Sequence, residues 1–134
     1  MSREDLEVMR EFVERFLGGD LAGTLALIHP EAVVNEGAGL PWGGDHVGRC
    51  GFQSLVAALL GTFDLKIDSY DLLDAGDTVV ARMPATFTHR TTGRCLPMPI
   101  VELYQLRDGL IWRIDVFYKD TKAIADAVAE AHPA

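Results

Sequence analysis

Ionisable side chains interrupt an otherwise apolar pattern in the last third of the chain. His89, Glu102 and Asp115 each lie in one of three strand-like runs between Val79 and Tyr118. An ionised carboxylate on an apolar strand face is costly unless it is paired or has a function. Acids in an apolar hollow also have shifted pKa values, which suits proton transfer with a small molecule. We therefore take these three residues as candidate catalytic groups.

Glu102 has apolar neighbours along its predicted strand. Alternation places it on one face with Tyr104, and it is the only charged residue on that face. If this face lines a cavity, burial should raise the pKa of Glu102. The alternative is an ion pair with Arg82 or Arg113 on a neighbouring strand. The other members of the face are Leu96, Met98, Ile100 and Leu106.

Asp115 is predicted to point the other way. It alternates with Arg113 and Phe117, whereas the opposite face of the same strand is the more typical pocket wall. Asp115 would then face outward, unless a β-bulge near Trp112 reverses the orientation. That opposite face comprises Trp112, Ile114, Val116 and Tyr118.

Two further candidates are His89 and Glu36. His89 shares a strand face with Met83 and Phe87 if no bulge intervenes, and either a base or a structural histidine at a strand end fits this position. Glu36 ends a predicted short strand, beside a glycine-rich loop at 37–45. A carboxylate on a cavity wall can remove a proton α to a carbonyl once desolvation raises its pKa, and the alternative is a solvent-exposed loop acid.

Aromatic residues are the candidate walls of a ligand site. Trp42 lies in the glycine-rich loop. It is either an aromatic residue at the rim of the site that stacks on a flat ligand, or a residue that packs into the protein and binds nothing. The same loop has no lysine and does not open a helix in the phosphate-binding pattern, which argues against a nucleotide. Phe63 ends the apolar stripe of a predicted third helix, formed by Phe52, Leu55, Val56, Leu59, Leu60 and Phe63.

Composition narrows the class of protein. The chain has 134 residues, which suits a single domain over residues 1–134. A net charge of −8 without clustered Lys and Arg argues against a nucleic-acid partner. No run reaches the ~20 apolar residues of a membrane span, and no secretory signal is visible, so we expect no membrane association and a cytoplasmic protein.

The cysteines and histidines do not indicate a metal site. Cys50 and Cys95 have no C-x-x-C spacing, and we predict reduced, packed thiols. The four histidines are scattered through the chain without ligand spacing. We therefore expect neither a metal nor another cofactor.

The order of predicted elements indicates an α+β domain. Helix, helix, strand and helix precede a run of antiparallel strands, so the helices should cover one face of a bent sheet. Pro84 predicts an edge position or a bulge in the strand that contains it, and Asp108-Gly109 predicts a tight hairpin. The predicted helices are at about 6–17 and 21–28, at about 52–63 and after Asp120; the predicted strands are at 32–36, 65–70, 79–89, 96–106 and 110–118.

Several segments carry a resemblance to a known family. The order of elements, with Phe16–Asp20, Ala32–Glu36, Leu40–Phe52 and Asp108–Ile111, resembles the SnoaL-like polyketide cyclases and ketosteroid-isomerase-type members of the nuclear-transport-factor-2-like superfamily. The likeness covers nearly the whole chain. It implies a cone in which a curved antiparallel or mixed sheet is packed by three N-terminal helices around a central cavity. It also implies a homodimer that pairs through the outer face of the sheet.

The resemblance suggests roles for individual residues. In isomerase-type relatives, an acid at the position of Glu102 hydrogen-bonds the substrate oxyanion, and a carboxylate near the position of Glu36 removes the proton. The tyrosine of those enzymes corresponds to Phe12, which cannot donate a hydrogen bond. SnoaL-like cyclases are similar in pairing a carboxylate at the position of Asp115 with a cavity histidine, for which His89 is the candidate.

These observations predict a cofactor-free acid–base enzyme that acts on a small hydrophobic carbonyl compound by isomerisation or aldol cyclisation. Two alternatives stay open: an epoxide hydrolase that uses Asp115 with Arg82 or Arg113, and a non-catalytic small-molecule-binding or protein-interaction module. The predicted catalytic residues are Glu102, Asp115, His89 and Glu36, and the predicted substrate-binding residues are Phe12, Trp42, Tyr104, Tyr118, Met98 and Phe63.

Overall fold

One curved, mixed sheet of seven strands forms the frame of the structure, a computed structural model that describes residues 1–132. The strands follow the order β2-β1-β7-β6-β5-β3, and β4 pairs with the first part of β5. The β1–β7 pairing is parallel and the others are antiparallel. The elements are α1 (Arg3–Leu17), α2 (Leu21–Leu25), β1 (Ile28–Glu36), β2 (Gly44–Val47), α3 (Gly48–Thr62), β3 (Phe63–Ile67), β4 (Asp71–Asp74), β5 (Val79–His89), β6 (Cys95–Arg107), β7 (Leu110–Tyr118) and α4 (Thr121–Ala131).

Local capping residues position the helices. The side chain of Ser2 accepts a hydrogen bond from the Asp5 N–H at 3.0 Å, and this bond begins α1. Asp20 and Asp120 begin α2 and α4 in the same way. The apolar stripes of α1 and α3 face the sheet, where Met9, Phe12 and Val13 of α1 and Phe52, Leu55 and Leu59 of α3 are buried. The predicted α+β architecture with three N-terminal helices is confirmed.

The hairpin between β6 and β7 orients the last strand. Asp108 and Gly109 both have positive φ, 55° and 73°, as a type I′ turn requires. The register between the two strands shifts once, between Gln105 and Leu106, and is regular from Arg113 to Tyr118. A bulge here was expected to turn Asp115 inward. Instead, the bulge at Trp112 places Val116 opposite Glu102 and leaves Asp115 on the outer face.

The prediction from Pro84 was wrong. β5 is an interior strand that pairs with β6 without a shift from Val79 to Thr88. On the side of β5 away from β6, Val79–Arg82 pairs with β4 and Ala85–His89 pairs with β3. Pro84 lies in the gap between these two segments, so its missing N–H removes no ladder hydrogen bond there. Its carbonyl accepts the Asp68 N–H at 3.0 Å.

Other differences concern short elements and exposure. The strands β2 and β4 have four residues each and were not predicted, and α2 ends at Leu25 instead of 28. The thiols of Cys50 and Cys95 are free, as expected, but both residues are exposed rather than packed. Cys95 begins β6 and Cys50 lies in the first turn of α3, where neither faces the core.

Candidate functional site

A cavity of about 80 Å³ lies between the concave face of the sheet and the helices α1 and α3. Its walls are apolar side chains from both helices and from β1, β3, β5, β6 and β7. Four of the side chains that line it carry polar groups, and no Lys, Arg or His is among them. These four are Glu36, Glu102, Tyr104 and Tyr118.

Strand register places the two acids in one row of inward-facing residues. Asn35 of β1 lies opposite Asp115 of β7, and Glu102 of β6 lies opposite Val116 of β7. Val116 of β7 therefore lies between Glu36 on β1 and Glu102 on β6, and the two acids are two strands apart. Since neighbouring strands are about 4.8 Å apart, side chains as long as glutamate can approach each other above the valine.

Glu36 is the more enclosed of the two acids. It is 3% exposed, although it is the last residue of β1. Its Oε1 accepts a hydrogen bond from the Tyr118 hydroxyl at 2.9 Å, while Oε2 is buried without a partner in residues 1–132. Burial raises the pKa of Glu36 to about 8; the nearby charge of Glu102 adds to this, and the bond from Tyr118 acts against it.

Glu102 has a similar environment on β6. Glu102 is half-buried, and it lines the apolar cavity. Desolvation raises the pKa of Glu102 to about 7, and the hydroxyl of Tyr104, two residues along on the same face, acts in the opposite direction. The predicted rise in the Glu102 pKa therefore agrees with its position on the cavity wall.

The two acids form an electrostatic pair. Each has a pKa raised mainly by burial, and the charge of Glu102 makes a smaller contribution to the rise at Glu36. Burial also raises the pKa of Tyr104 and Tyr118, so both phenols remain neutral hydrogen-bond donors. Near neutral pH the site can therefore hold one carboxylate and one carboxylic acid in an apolar cavity.

Five of the residues predicted from the sequence meet at this cavity: Glu36, Glu102, Phe12, Tyr104 and Tyr118. The ring of Phe12 packs edge-on against Tyr104 at 5.7 Å and lies 6.0 Å from Phe52. It contributes a wall and no hydrogen bond. The alternative ion pair of Glu102 with Arg82 or Arg113 is absent from the salt bridges within residues 1–132.

Asp115 lies outside the cavity. Its carboxylate is 4.0 Å from the guanidinium of Arg113 on the outer face of the sheet, and its side chain is 33% exposed. The strand parity that separates it from Ile114 and Val116 gives the physical reason. Arg82 pairs with Asp71 at 3.4 Å on an exposed surface, so the residues needed for an epoxide-hydrolase relay do not reach the cavity.

His89 is buried but does not line the cavity either. Its Nδ1 accepts the backbone N–H groups of Thr91 and Thr92 at 3.1 and 3.4 Å, and its ring packs edge-on against Phe63 at 5.3 Å. Since Nδ1 is an acceptor, the neutral ring carries its proton on Nε2, which is buried without a partner in residues 1–132. The geometry matches a histidine that ends a strand and organises the following turn.

Three other predicted binding residues support the wall from behind. Trp42 is 8% exposed and packs edge-on against Phe63 at 6.2 Å, and neither side chain borders the cavity. Met98 is buried opposite Ala85 on β5, further along β6 than the cavity extends. Trp42 is therefore a packed residue and not a rim aromatic.

Most of the apolar wall of the cavity was not predicted from the sequence. The side chains of Val13, Phe16, Leu55 and Leu59 border the cavity from the two long helices. Their helical spacing was visible in the sequence, but it indicates burial without saying which buried residues border a void. The hydrogen bond between Tyr118 and Glu36 joins residues 82 positions apart, and no local pattern predicts such a contact.

The described part of the chain gives two further findings. None of the helices in residues 1–132 has the length and apolar composition to span a bilayer. Within the same residues, no cluster of three or more His, Cys, Asp or Glu side chains is arranged to hold a metal ion.

A curved sheet that encloses an apolar cavity with inward-facing acids defines the class of nuclear-transport-factor-2-like cone proteins. The profile of the SnoaL-like domain matches residues 9–114, and the chain belongs to this family. A search of curated proteins found no match.

Solved structures share the fold over nearly the full chain. A nuclear-transport-factor-2-like protein of unknown function from Burkholderia pseudomallei is 18% identical over 100% of both chains, with a TM-score of 0.80. Another such protein, from Burkholderia xenovorans, is 20% identical over 95% of this chain and 97% of its own, with a TM-score of 0.83. A proposed polyketide cyclase from Xanthomonas campestris is 21% identical over 92% and 96% of the two chains, with a TM-score of 0.77. At these identities the likeness establishes the fold alone.

Proposed function

We propose that the protein is an acid–base enzyme that enolises a small hydrophobic carbonyl compound between Glu36 and Glu102. The observation that carries the proposal is a pair of carboxyl groups, both with raised pKa, on the wall of one apolar cavity. A buried pair of this kind is arranged to move a proton at working pH, because one member can be ionised while the other is protonated.

Glu36 is the proton acceptor in this proposal. The Tyr118 hydroxyl donates to its Oε1, and such a bond favours the ionised carboxylate. Because the pKa of Glu36, about 8, lies above that of Glu102, about 7, Glu36 is the stronger base of the two. The reactive form, in which Glu36 is ionised and Glu102 holds the proton as hydrogen-bond donor, is then the less populated of the two singly protonated forms. Tyr104, the neighbour of Glu102, stays neutral and offers a second donor on the same face.

The reaction balances without an external reactant. Glu36 takes a proton from the carbon α to the carbonyl, and the electron pair of that C–H bond moves to the carbonyl oxygen as an enolate. Glu102 stabilises the enolate oxygen by a hydrogen bond or by transferring its proton. In an isomerisation, the enolate recovers the proton from Glu36 at a different carbon. In an aldol cyclisation, its α carbon bonds to a second carbonyl carbon of the same molecule, and the alkoxide that results takes the proton back from Glu36.

The arrangement differs from that of ketosteroid-isomerase-type relatives. Phe12 supplies a ring where those enzymes have a hydroxyl, so donors must come from the sheet. The hydroxyl of Tyr104, whose ring packs against Phe12, and the carboxyl of Glu102 are the available donors. We therefore propose enolisation as the shared chemistry and do not propose steroid turnover.

The cavity favours a neutral substrate. Its lining contains two acids and no basic side chain, so a substrate carboxylate or phosphate would have no counter-charge. Two structural neighbours are consistent with a small-molecule ligand: one is the proposed polyketide cyclase described above, and another, TerC, was co-crystallised with polyporic acid.

Turnover of 3-cyclohexen-1-one tests the proposal. This small β,γ-unsaturated ketone becomes the conjugated 2-cyclohexen-1-one after one enolisation, and ultraviolet absorbance reports the product. Glu36→Gln should lower the rate by about 10²–10⁴-fold, because an amide cannot accept the proton. Glu102→Gln should lower it less, because the amide still donates a hydrogen bond. Asp115→Asn is the matched control on the outer face and should keep the wild-type rate.

Carboxyl titration by ¹³C NMR supports this test independently of the substrate. Raised pKa values for both Glu36 and Glu102 are expected in the wild-type protein. Ordinary values would contradict the proposal, and so would an undiminished rate in Glu36→Gln. Binding of the ketone by a wild-type protein that does not convert it would instead favour a small-molecule-binding module.

A further inference from the structure

Glu36 has a hydrogen-bond acceptor that the catalytic proposal leaves without a partner. The residue is 3% exposed, and its Oε1 accepts the Tyr118 hydroxyl at 2.9 Å. Its Oε2 is buried without a partner in residues 1–132, although the side chain lines the cavity. A buried acceptor without a partner is costly, and the C–H group of a ketone is at most a weak donor. The acceptor therefore indicates a ligand that brings an N–H or O–H group.

The charged groups of the cavity wall all have one sign. Glu36 and Glu102 are acids, and the lining within residues 1–132 includes no Lys, Arg or His. An ionised carboxylate in an apolar cavity is stabilised by an opposite charge nearby. The neutral ketone of the proposed reaction leaves this negative charge unbalanced, whereas a cationic ligand balances it.

We propose that the cavity binds a small hydrophobic amine in its protonated form, with the ammonium group between Glu36 and Glu102. The inference goes beyond the proposed function, because this ligand is bound and not converted. An ammonium group has up to three N–H donors and no acceptor. Oε2 of Glu36 and the carboxylate of Glu102 accept two of these donors, and such charge-assisted hydrogen bonds are stronger than neutral ones.

The spacing of the two acids leaves room for the nitrogen. Glu36 and Glu102 lie on either side of β7, so their backbones are about 10 Å apart, at two strand spacings. Both side chains border the cavity, as does Val116 between them. A single nitrogen above the valine can thus accept contacts from both carboxyl groups.

The rest of the cavity suits the hydrocarbon part of the amine. All four polar side chains come from β1, β6 and β7, whereas α1, α3, β3 and β5 contribute only apolar side chains to the lining. Leu17 at the end of α1 borders the cavity and is 43% exposed, so the cavity reaches the surface there. The nitrogen is therefore expected at the sheet, with the carbon skeleton directed towards the helices.

The titratable groups around the two acids determine the pH dependence of binding. Those that share the cavity with Glu36 are Glu102 and Tyr104 from β6 and Tyr118 from β7. Burial raises the pKa of both phenols, which stay neutral. The pKa values of Glu102 and Glu36 are about 7 and about 8, so both acids are protonated at pH 6 and at least one is ionised at pH 8. An ammonium ion that binds at pH 6 must therefore displace a proton, which leaves to solvent.

Isothermal titration calorimetry with cyclohexylamine tests the inference. Cyclohexanol is the matched control, because it has the same ring and a hydrogen-bond donor but no charge. In 0.15 M salt, which screens the surface carboxylates, cyclohexylamine should bind one site about tenfold more tightly at pH 8 than at pH 6. Cyclohexanol should bind more weakly than the amine at pH 8, without this increase. Equal affinities for the two ligands at pH 8 would overturn the inference.

Variants of the acids locate the bound amine. The double variant Glu36→Gln with Glu102→Gln should weaken cyclohexylamine binding at pH 8 by at least about tenfold and leave cyclohexanol binding unchanged. Asp115→Asn removes a carboxylate from the outer face and should keep the wild-type affinity for both ligands. Unchanged amine affinity in the double variant would overturn the inference.

Proton release gives a second measurement on the wild-type protein, in case the double variant does not fold. Titrations at pH 6 in phosphate and in MES, two buffers with different ionisation enthalpies, should show about one proton released for each amine bound. Cyclohexanol should release none. Amine binding without proton release would contradict the inference.

The outcomes separate this inference from the proposed function. Amine binding that depends on the two acids, in a protein that does not convert 3-cyclohexen-1-one, would support the inference and remove the proposed function. Conversion of the ketone without a preference for cyclohexylamine over cyclohexanol would support the proposed function and overturn the inference.

Discussion

At the residue scale, the buried position of Glu36 has a consequence for stability. Its folded-state pKa of about 8 lies above the ordinary value of 4.5 for an exposed glutamate, so folding favours the protonated form. The resulting contribution to stability is complete below pH 4.5 and is lost as the pH rises through 8. Glu102, with a pKa of about 7, acts in the same direction.

We therefore expect the free energy of unfolding to fall between pH 5 and pH 9. Glu36→Gln should flatten this fall, because a neutral amide pays no cost of ionisation in the cavity. Urea denaturation at several pH values measures the effect, with Asp115→Asn as a control that keeps the wild-type slope. An identical pH dependence in Glu36→Gln and wild type would show that Glu36 is not desolvated.

At the element scale, the β6–β7 hairpin decides which residues of the last strand reach the cavity. The two-residue turn sets the pairing of Arg107 with Leu110, and the register shift that follows places Val116, and not Asp115, opposite Glu102. Tyr118 faces the cavity and Asp115 the outer surface for this reason. The turn depends on residues that tolerate positive φ, which are Asp108 and Gly109.

Gly109→Ala should destabilise the fold by roughly 1 kcal/mol, because an L-residue at a φ of 73° is strained. Nothing lies within 4 Å of the added Cβ, so the cost is conformational and not a clash. Gly39→Ala is the control: it also has open space, and its φ is not in the left-handed region. Chemical denaturation measures both variants, and equal stabilities would contradict the argument.

Sequence periodicity predicted the long elements at this scale and failed on short ones. The stripes of α1 and α3 and the alternation along β6 and β7 place Glu102 and Asp115 on the faces that the structure shows. The four-residue strands β2 and β4 have too few residues for a period to be recognised. The prediction from Pro84 was wrong because the free-energy cost of a proline in a strand depends on which strand pairs with it. The tertiary fold, and not the local sequence, sets that neighbour.

At the scale of the whole molecule, the approach of Glu36 and Glu102 to one cavity could be predicted only from the family resemblance. Register across three strands brings them together, and register depends on the complete sheet. The positions of His89 and Trp42 behind Phe63 likewise depend on how a loop and a strand end meet. Contacts between distant segments, such as the bond from Tyr118 to Glu36, have no local signature.

The outer face of the sheet bears on the predicted homodimer, which stays a prediction. Phe117 is 55% exposed there and lies opposite Val101, in a region that also includes Leu103 of β6. If two copies pair through this face, Phe117 is buried in the contact. Phe117→Glu should then convert a dimer to a monomer, because an unpaired charge would be desolvated at the interface.

Light scattering coupled to size-exclusion chromatography measures that change in mass. Leu21→Glu is the matched control, since Leu21 is 37% exposed on the helix α2, outside the sheet, and its replacement should leave the mass unchanged. A wild-type protein that is monomeric at high concentration would contradict the prediction. A dimer that persists in Phe117→Glu would show that the contact lies on another surface. The cavity lies on the opposite face of the sheet, so neither outcome changes the candidate site.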